Sequence, residues 1–409
     1  MRSKQIILLF LLLICIFLNA NAQRYLNKIF DSVTVESSVI YGMNKNVNGI
    51  MDTLPMAIYQ PKNDTATKRP LIILAHGGFF LGGSYLASDV SYLCNEFALR
   101  GYVCVSIEYR VGIGLSGHSI QYEYANAAWR ATQDFKAAVR FFRKDLATNN
   151  LYKIDEKFIY AGGVSAGAIS ALHLAFCDLP EEVATNLEID TLANGGIEGN
   201  TGNSGYASKV RGVLSLSGAI SDVRWMNNNK NVSLFLMHGS NDATVPYGTN
   251  YYILFGQKIA LLQGGFSTDS AAKINGMRST FYPFYGAGHV PFSALDNTGK
   301  KYMDTTETQM CLFLFNDLNR STFAVNEYSN DLKDFVKIYP IPSSETIFIE
   351  IGKGKKSKIK LVDFTGKVVR YFEAESNFLK IEKNELSSGI YFLNIKNEYG
   401  SFASKVVFD

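Results

Sequence analysis

Short apolar runs with no polar face recur along this chain, and stretches with helical spacing separate several of them. Leu71-Ile72-Ile73-Leu74, within Arg69 to Ala75, is such a run, and Tyr102 to Tyr109 is another. Successive side chains of a strand point to opposite faces, so a run that is apolar throughout must be covered on both sides. Between these runs the spacing changes. Gln133 to Lys144 places Phe135, Ala138, Val139 and Phe142 on one side of a helix. Phe158 to Ala161 reads as a strand, followed by a helix from about Ala166 to Phe176. Val210 to Leu216, Val232 to Met237 and Thr280 to Phe284 are three more strands, and Tyr302 to Leu318 is a closing helix. Phe30 to Gly42 and Gly49 to Gln60 read as two leading strands joined by an Asn/Gly-rich turn. The alternation requires an α/β domain with a doubly wound, mostly parallel sheet.

Two stretches interrupt the rhythm. Gly112 to Ala127 reads as a Gly/Tyr-rich loop, and Asp178 to Ser208 as an Asn/Gly-rich cap over the active site. The texture changes after Arg320. Ser321 to Asp334 is polar and linker-like. From Phe335 onward only short strands follow: Val336–Tyr339, Thr346–Ile351, Ile359–Phe364, Lys367–Phe372, Phe378–Glu382, Ile390–Ile395 and Phe402–Phe408. Strands at this spacing predict a small C-terminal β-sandwich. It holds no paired acids, histidines or cysteines, so no chemistry is expected there. The expected organisation is a leader at 1–22, a catalytic domain at 23–320, a linker at 321–334 and the sandwich at 335–409.

The leader rests on Arg2 and Lys4, the apolar run Ile6 to Leu18, and the small residues Ala20-Asn21-Ala22, which make Gln23 the expected mature N-terminus. Apolar residues continue past Cys15, which argues against a lipid anchor there; a retained N-terminal anchor is the alternative. No later segment is long and apolar enough to span a membrane. Forty Lys and Arg against 37 Asp and Glu leave a net charge of +3. That balance offers no electrostatic case for nucleic acid or anionic lipid. Cys94, Cys104, Cys177 and Cys311 fit no metal spacing and read as buried thiols, with one disulfide as the alternative. No metal or organic cofactor is expected.

Gly163-Val164-Ser165-Ala166-Gly167 lies between a strand and a helix. That context carries more weight than the five letters. A sharp strand-to-helix turn strains Ser165, exposes its hydroxyl and aims the N–H groups of the new helix at it. A serine alcohol needs a positioned base. The chain has five histidines. His76 sits in a Gly-rich turn, His173 lies inside the helix after the serine, and His238 ends a strand beside Gly239. His289, in Gly286-Ala287-Gly288-His289 after the last strand, is the candidate base, and His118 its rival in a long loop. The orienting acid is Asp242, in His238-Gly239-Ser240-Asn241-Asp242. Its bland reading is an Asx turn residue, and Asp222 is its rival; the order Ser, Asp, His favours Asp242. A tetrahedral intermediate needs backbone donors already facing its oxygen. The candidates are the N–H groups of Ala166 and, in His76-Gly77-Gly78-Phe79-Phe80, of Gly78 and Phe79.

These motifs make Leu54 to Leu318 resemble an α/β-hydrolase of the carboxylesterase and hormone-sensitive-lipase-like group. The His-Gly-Gly loop at His76, Glu108-Tyr109-Arg110 after a strand, the elbow at Ser165, the acid turn at Asp242 and the histidine turn at His289 match in order. Phe79 replaces the third glycine usual after His-Gly-Gly, so its side chain must point away or narrow the acyl pocket. The resemblance implies cleavage of a small-molecule or polymer-derived carboxylic ester. A serine peptidase of the same fold and a catalytically dead surface-binding module are the alternatives. Phe79, Phe80, Tyr122, Tyr124 and Trp129 are candidates for an acyl or aryl cleft, with core positions as the alternative.

Phe335 to Asp409 resembles the sorting domain of the type IX secretion system. The matching residues are Tyr339-Pro340-Ile341-Pro342-Ser343, Asp363-Phe364-Thr365-Gly366-Lys367, Leu386-Ser387-Ser388-Gly389-Ile390-Tyr391-Phe392 and Lys405-Val406-Val407-Phe408. By resemblance this implies the type IX machinery as a partner. It also implies export through the periplasm of a Gram-negative cell, and removal of the domain at the surface. A carbohydrate-binding or spacer sandwich is the alternative.

Overall fold

The computed structural model describes residues 24–114, 117–187, 189, 191, 194–254, 256–293, 296–322, 332, 335–354, 356–363 and 368–409. The expected leader at 1–22, most of the linker and the turn at 364–367 lie outside the described residues. The chain divides into two compact units between Leu318 and Asn319.

The first unit is built on β1 (Val33–Lys45), β2 (Met51–Pro61), β3 (Arg69–Ala75), β4 (Val103–Ile107), β5 (Ile154–Val164), β6 (Gly212–Leu216), β7 (Ala219–Ile220), β8 (Ser233–Gly239), β9 (Thr249–Leu254), β10 (Gln257–Gly264) and β11 (Ser279–Phe284). Its helices are α1 (Ser88–Ala98), α2 (Ile120–Ala147), α3 (Ala166–Phe176), α4 (Pro180–Leu187), α5 (Gly265–Ile274) and α6 (Asn297–Thr322). Eight strands form one sheet in the order β1-β2-β4-β3-β5-β6-β8-β11. The pairs β1/β2 and β2/β4 are antiparallel and the other five are parallel.

Strand β3 shows why the sheet is covered on both faces. Leu71, Ile73 and Ala75 join a core with Trp129 and Phe135 of α2 and Leu172 and Phe176 of α3. Ile72 and Leu74 join the opposite core, with Leu93 and Phe97 of α1 and Met310 and Leu314 of α6. Each fully buried aliphatic side chain contributes about 1.5–3 kcal/mol. A register slip on either side would exchange the two sets.

Three expectations change. The Gly/Tyr loop ends early, because α2 begins at Ile120. Ser119 caps it, its side chain accepting from the Tyr122 N–H, and Tyr124, Ala127 and Ala128 extend the buried stripe. Burial outweighs the modest helix propensity of Tyr and Asn here. Among the described residues, the stretch 178–208 does not cap the serine. Gln133 of α2 donates to the carbonyls of Asn194 and Gly196, and Lys136 and Arg140 bind Glu198. These bonds tie its described residues to the middle of α2. The closing helix also runs to Thr322, into the stretch expected as linker. An antiparallel sheet β7-β10-β9 and helix α5 went unread in the sequence.

The second unit contains β12 (Val336–Tyr339), β13 (Thr346–Ile351), β14 (Ser357–Asp363), β15 (Val368–Ala374), β16 (Phe378–Glu382), β17 (Gly389–Asn397) and β18 (Gly400–Phe408). They form two antiparallel sheets, β12-β13-β16 and β15-β14-β17-β18. Ile347, Ile349 and Ile351 of one sheet share a core with Ile359, Leu361, Leu393 and Ile395 of the other. Alternating burial along β13 is the two-layer pattern of a sandwich.

Candidate active site

Strands β5, β6, β8 and β11 are consecutive parallel neighbours, so the loops that follow them open at one edge of the sheet. Ser165 occupies the first of these turns, between β5 and α3, at φ 53° and ψ −115°. A non-glycine residue held there stores about 1–3 kcal/mol of strain. The flanking glycines allow the turn. A Cβ on Gly163 would lie 2.4 Å from the Ala75 carbonyl oxygen, and one on Gly167 only 2.2 Å from it. Ser165 N–H donates to the Leu216 carbonyl at 2.9 Å, which fixes the turn against β6.

The loop after β11 brings His289 Nε2 to 2.8 Å from Ser165 Oγ. The loop after β8 brings Asp242 Oδ2 to 2.7 Å from His289 Nδ1. Asp242 Oδ1 accepts the backbone N–H groups of Thr244 and Val245, each at 2.9 Å. Its Oδ2 also lies 3.1 Å from His238 Nε2. Burial alone would raise the Asp242 pKa; hydrogen bonds from His238 and His289 outweigh it and hold the carboxyl at about 2. The carboxylate is therefore ionised wherever an imidazole titrates.

The rival residues are engaged elsewhere. His118 packs on the Tyr122 ring at 4.3 Å. Asp222 accepts from the Arg224 side chain and backbone N–H. His173 is buried, accepts from Ser221 N–H at 3.3 Å, and burial lowers its pKa to about 4.

Next to Ser165 runs the loop after β3, where a Cβ on Gly77 would lie 3.5 Å from the Ser165 Cβ. Gly78 has φ +128°, and a Cβ there would be 2.0 Å from the Gly82 carbonyl oxygen. Phe79 and Phe80 follow, both at φ 60°. Among the described residues, the N–H groups of Gly78, Phe79 and Ala166 donate to no protein acceptor. The Glu108-Tyr109 motif braces this loop. His76 Nε2 lies 2.8 Å from Glu108 Oε1, and Tyr109 Oη donates to the His76 carbonyl at 2.9 Å. Arg110 is held away from it, in a buried ion pair with Asp134.

A cavity of about 790 Å³ opens beside Ser165. Phe79, Phe80, Tyr122 and Tyr124 line it. Trp129 does not: it takes the alternative, fully buried in the core on α2. The wall that sequence reading missed is the β9–β10 hairpin, which supplies Tyr251, Tyr252, Ile259, Leu261 and Leu262. Asn250 to Gly264, with Gly256 between two Tyr/Ile/Leu-rich runs, carried a hairpin signal. No described residue of 178–208 lines the cavity. Cys94, Cys104, Cys177 and Cys311 are buried free thiols. No described helix is long and apolar enough to cross a membrane.

Residues 56–233 match the BD-FAE family model. This match spans the loop after β3 and the turn at Ser165, and ends before Asp242 and His289. Residues 337–409 match the secretion system C-terminal sorting domain. The first unit has the α/β-hydrolase fold, and a secretion sorting domain follows it. No curated protein matches the chain. Among solved structures, it is similar to Thermogutta terrifontis esterase 2 phosphoramylated by tabun. Identity is 21%, coverage 70% of this chain and 95% of that one, and the TM-score 0.49. The same enzyme phosphorylated by paraoxon matches at 20% identity, with the same coverages and TM-score 0.49. Its propionate-bound form matches at 20% identity over 70% of this chain and 94% of that one, with TM-score 0.46.

Proposed function

We propose that this protein is an exported serine carboxylesterase, with Ser165 as nucleophile, His289 as general base and Asp242 as orienting acid. The observation that carries the reading is the continuous pair of hydrogen bonds, 2.8 Å from His289 to Ser165 and 2.7 Å from His289 to Asp242. Ser165 Oγ attacks the ester carbonyl carbon as its proton passes to His289 Nε2. The Asp242 carboxylate accepts the Nδ1–H of His289, fixes the tautomer and stabilises the imidazolium. The carbonyl oxygen becomes an oxyanion and accepts from the N–H groups of Gly78, Phe79 and Ala166. One such donor is worth about 3 kcal/mol of transition-state stabilisation. His289 returns the proton to the departing alcohol. Water deprotonated by His289 then attacks the acyl-Ser165 ester and frees the acid.

The substrate is a small-molecule or polymer-derived ester whose larger arm enters the cavity walled by Tyr124, Tyr252 and Leu262. The match to a secretion sorting domain supports the type IX machinery as partner, and the surface or surroundings of a Gram-negative cell as destination. The test is Ser165→Ala. Turnover of a short-chain nitrophenyl ester is expected to vanish with the melting temperature unchanged; undiminished turnover rejects the reading.

A further inference from the structure

His238 is absent from the proton path just described, yet its surroundings leave it one arrangement of hydrogens. It is fully buried at the end of β8. Its Nδ1 lies 3.2 Å from the backbone N–H of Gly265, which can only donate, so Nδ1 carries a lone pair. The ring proton is then on Nε2, because the bond made by one nitrogen settles the state of the other. Nε2 faces two acceptors at 3.1 Å, the Val245 carbonyl and Asp242 Oδ2. The packing admits no slack: a Cβ on Gly265 would come within 3.2 Å of His238 Nδ1, and the Tyr247 ring meets the imidazole edge-on at 5.9 Å.

We propose that His238 is a positioning residue for the esterase reaction, a neutral Nε2–H donor that locks the Asp242 carboxylate toward His289. This rests on the reading of Ser165, His289 and Asp242 given above. Asp242 Oδ1 is held by the Thr244 and Val245 amides. Without His238, Oδ2 would be held by His289 alone, the residue that changes charge during each turnover. With it, the carboxylate stays in place when His289 becomes an imidazolium and again when it becomes neutral. Supporting shells of this kind keep acting groups in reactive geometry, and displacement of about 1 Å can cost roughly 100-fold in rate.

Two measurements test the proposal. The first uses the intact wild-type chain with ¹⁵N-labelled histidine; five histidines keep the spectrum tractable. His238 is expected as the Nε2–H tautomer, and an Nδ1–H tautomer overturns the proposal without reference to catalysis. The second compares His238→Phe, which keeps volume and loses the donor, with His238→Gln, which carries an amide N–H near the position of Nε2. For a nitrophenyl ester, the Phe variant is expected to lose about 10- to 100-fold in kcat with KM within about 2-fold, and the Gln variant to recover most of it. Equal loss in both variants, or a change in KM alone, overturns the proposal. If wild type turns over no ester while Ser165→Ala behaves identically, the esterase reading fails instead, and the tautomer result still stands or falls by itself.

Discussion

His289 Nε2 lies 2.8 Å from Ser165 Oγ, although 124 positions separate them in sequence. They meet because β5 and β11 run parallel in one sheet, so both following turns reach the same edge. Asp242 arrives the same way from β8. On the proposed reading, Asp242→Asn keeps the shape of this chain and removes its charge. Loss of about 10³- to 10⁴-fold in kcat is expected, as a wrong histidine tautomer produces; steady-state kinetics on a nitrophenyl ester measures it. A loss under about 10-fold would show that the imidazole is oriented by something else.

Glycines of the serine turn and of the loop after β3 differ sharply in what they tolerate. Gly167→Ala puts a methyl 2.2 Å from the Ala75 carbonyl oxygen, whereas a Cβ on Gly82 meets nothing within 4 Å. Gly167→Ala is expected to lose about 1–3 kcal/mol or more of stability together with activity. Gly82→Ala is expected to stay within about 0.5 kcal/mol of wild type. Thermal melts of the two variants make the comparison, and equal melting temperatures would contradict the packing described for the turn.

Phe79 brings both a backbone donor and a side chain to the cavity, at φ 60°. Phe79→Gly keeps the N–H, relieves the left-handed strain by about 1–2 kcal/mol and widens the cleft. Acetyl ester turnover is expected to change little, while preference for a bulky acyl group rises by about 10-fold. A kcat/KM series over acyl size reads this. A uniform collapse on every ester would mean the ring itself is needed to hold the loop.

His173 is buried with its pKa lowered to about 4 by desolvation, against 6.5 in the unfolded chain. Between those values the unfolded chain binds the extra proton and the folded one does not. Stability is therefore complete above about pH 6.5 and falls as pH drops toward 4, by about 3 kcal/mol in all. His173→Leu is expected to flatten this part of the curve, as read by denaturant unfolding across pH. An unchanged slope in the variant would place the acid sensitivity elsewhere.

Legibility in the sequence followed burial. Strands β3, β6 and β8 are buried at every residue, so their apolar runs stood out. The hairpin β9–β10 is mostly exposed on one side, with only Tyr252, Ile259, Leu262 and Gly264 buried among its described residues. A pattern so thin is hard to separate from a loop, and a wall of the cavity stayed hidden with it. The start of α2 was hidden by Tyr and Asn, which form helix here because Tyr124 and Ala127 are buried. The stretch 178–208 looked like a cap from its length and composition. Arg140 and Gln133, which bind it to α2, sit inside a helix and gave no sign of that partner. The turns at Ser165, Asp242 and His289 were readable because short glycine-flanked motifs mark them. Nothing in the sequence linked His238 to Asp242, since their bond depends on a tautomer set by the distant Gly265.

On the proposed reading the hydroxyl of Ser165 is an activated nucleophile. The most direct measurement is mass spectrometry of the intact protein and its peptides after reaction with a fluorophosphonate probe. A single adduct on the peptide carrying Ser165, abolished in His289→Ala, is the expected result. No adduct, or an adduct on another serine that persists in the Ser165→Ala variant, would contradict it.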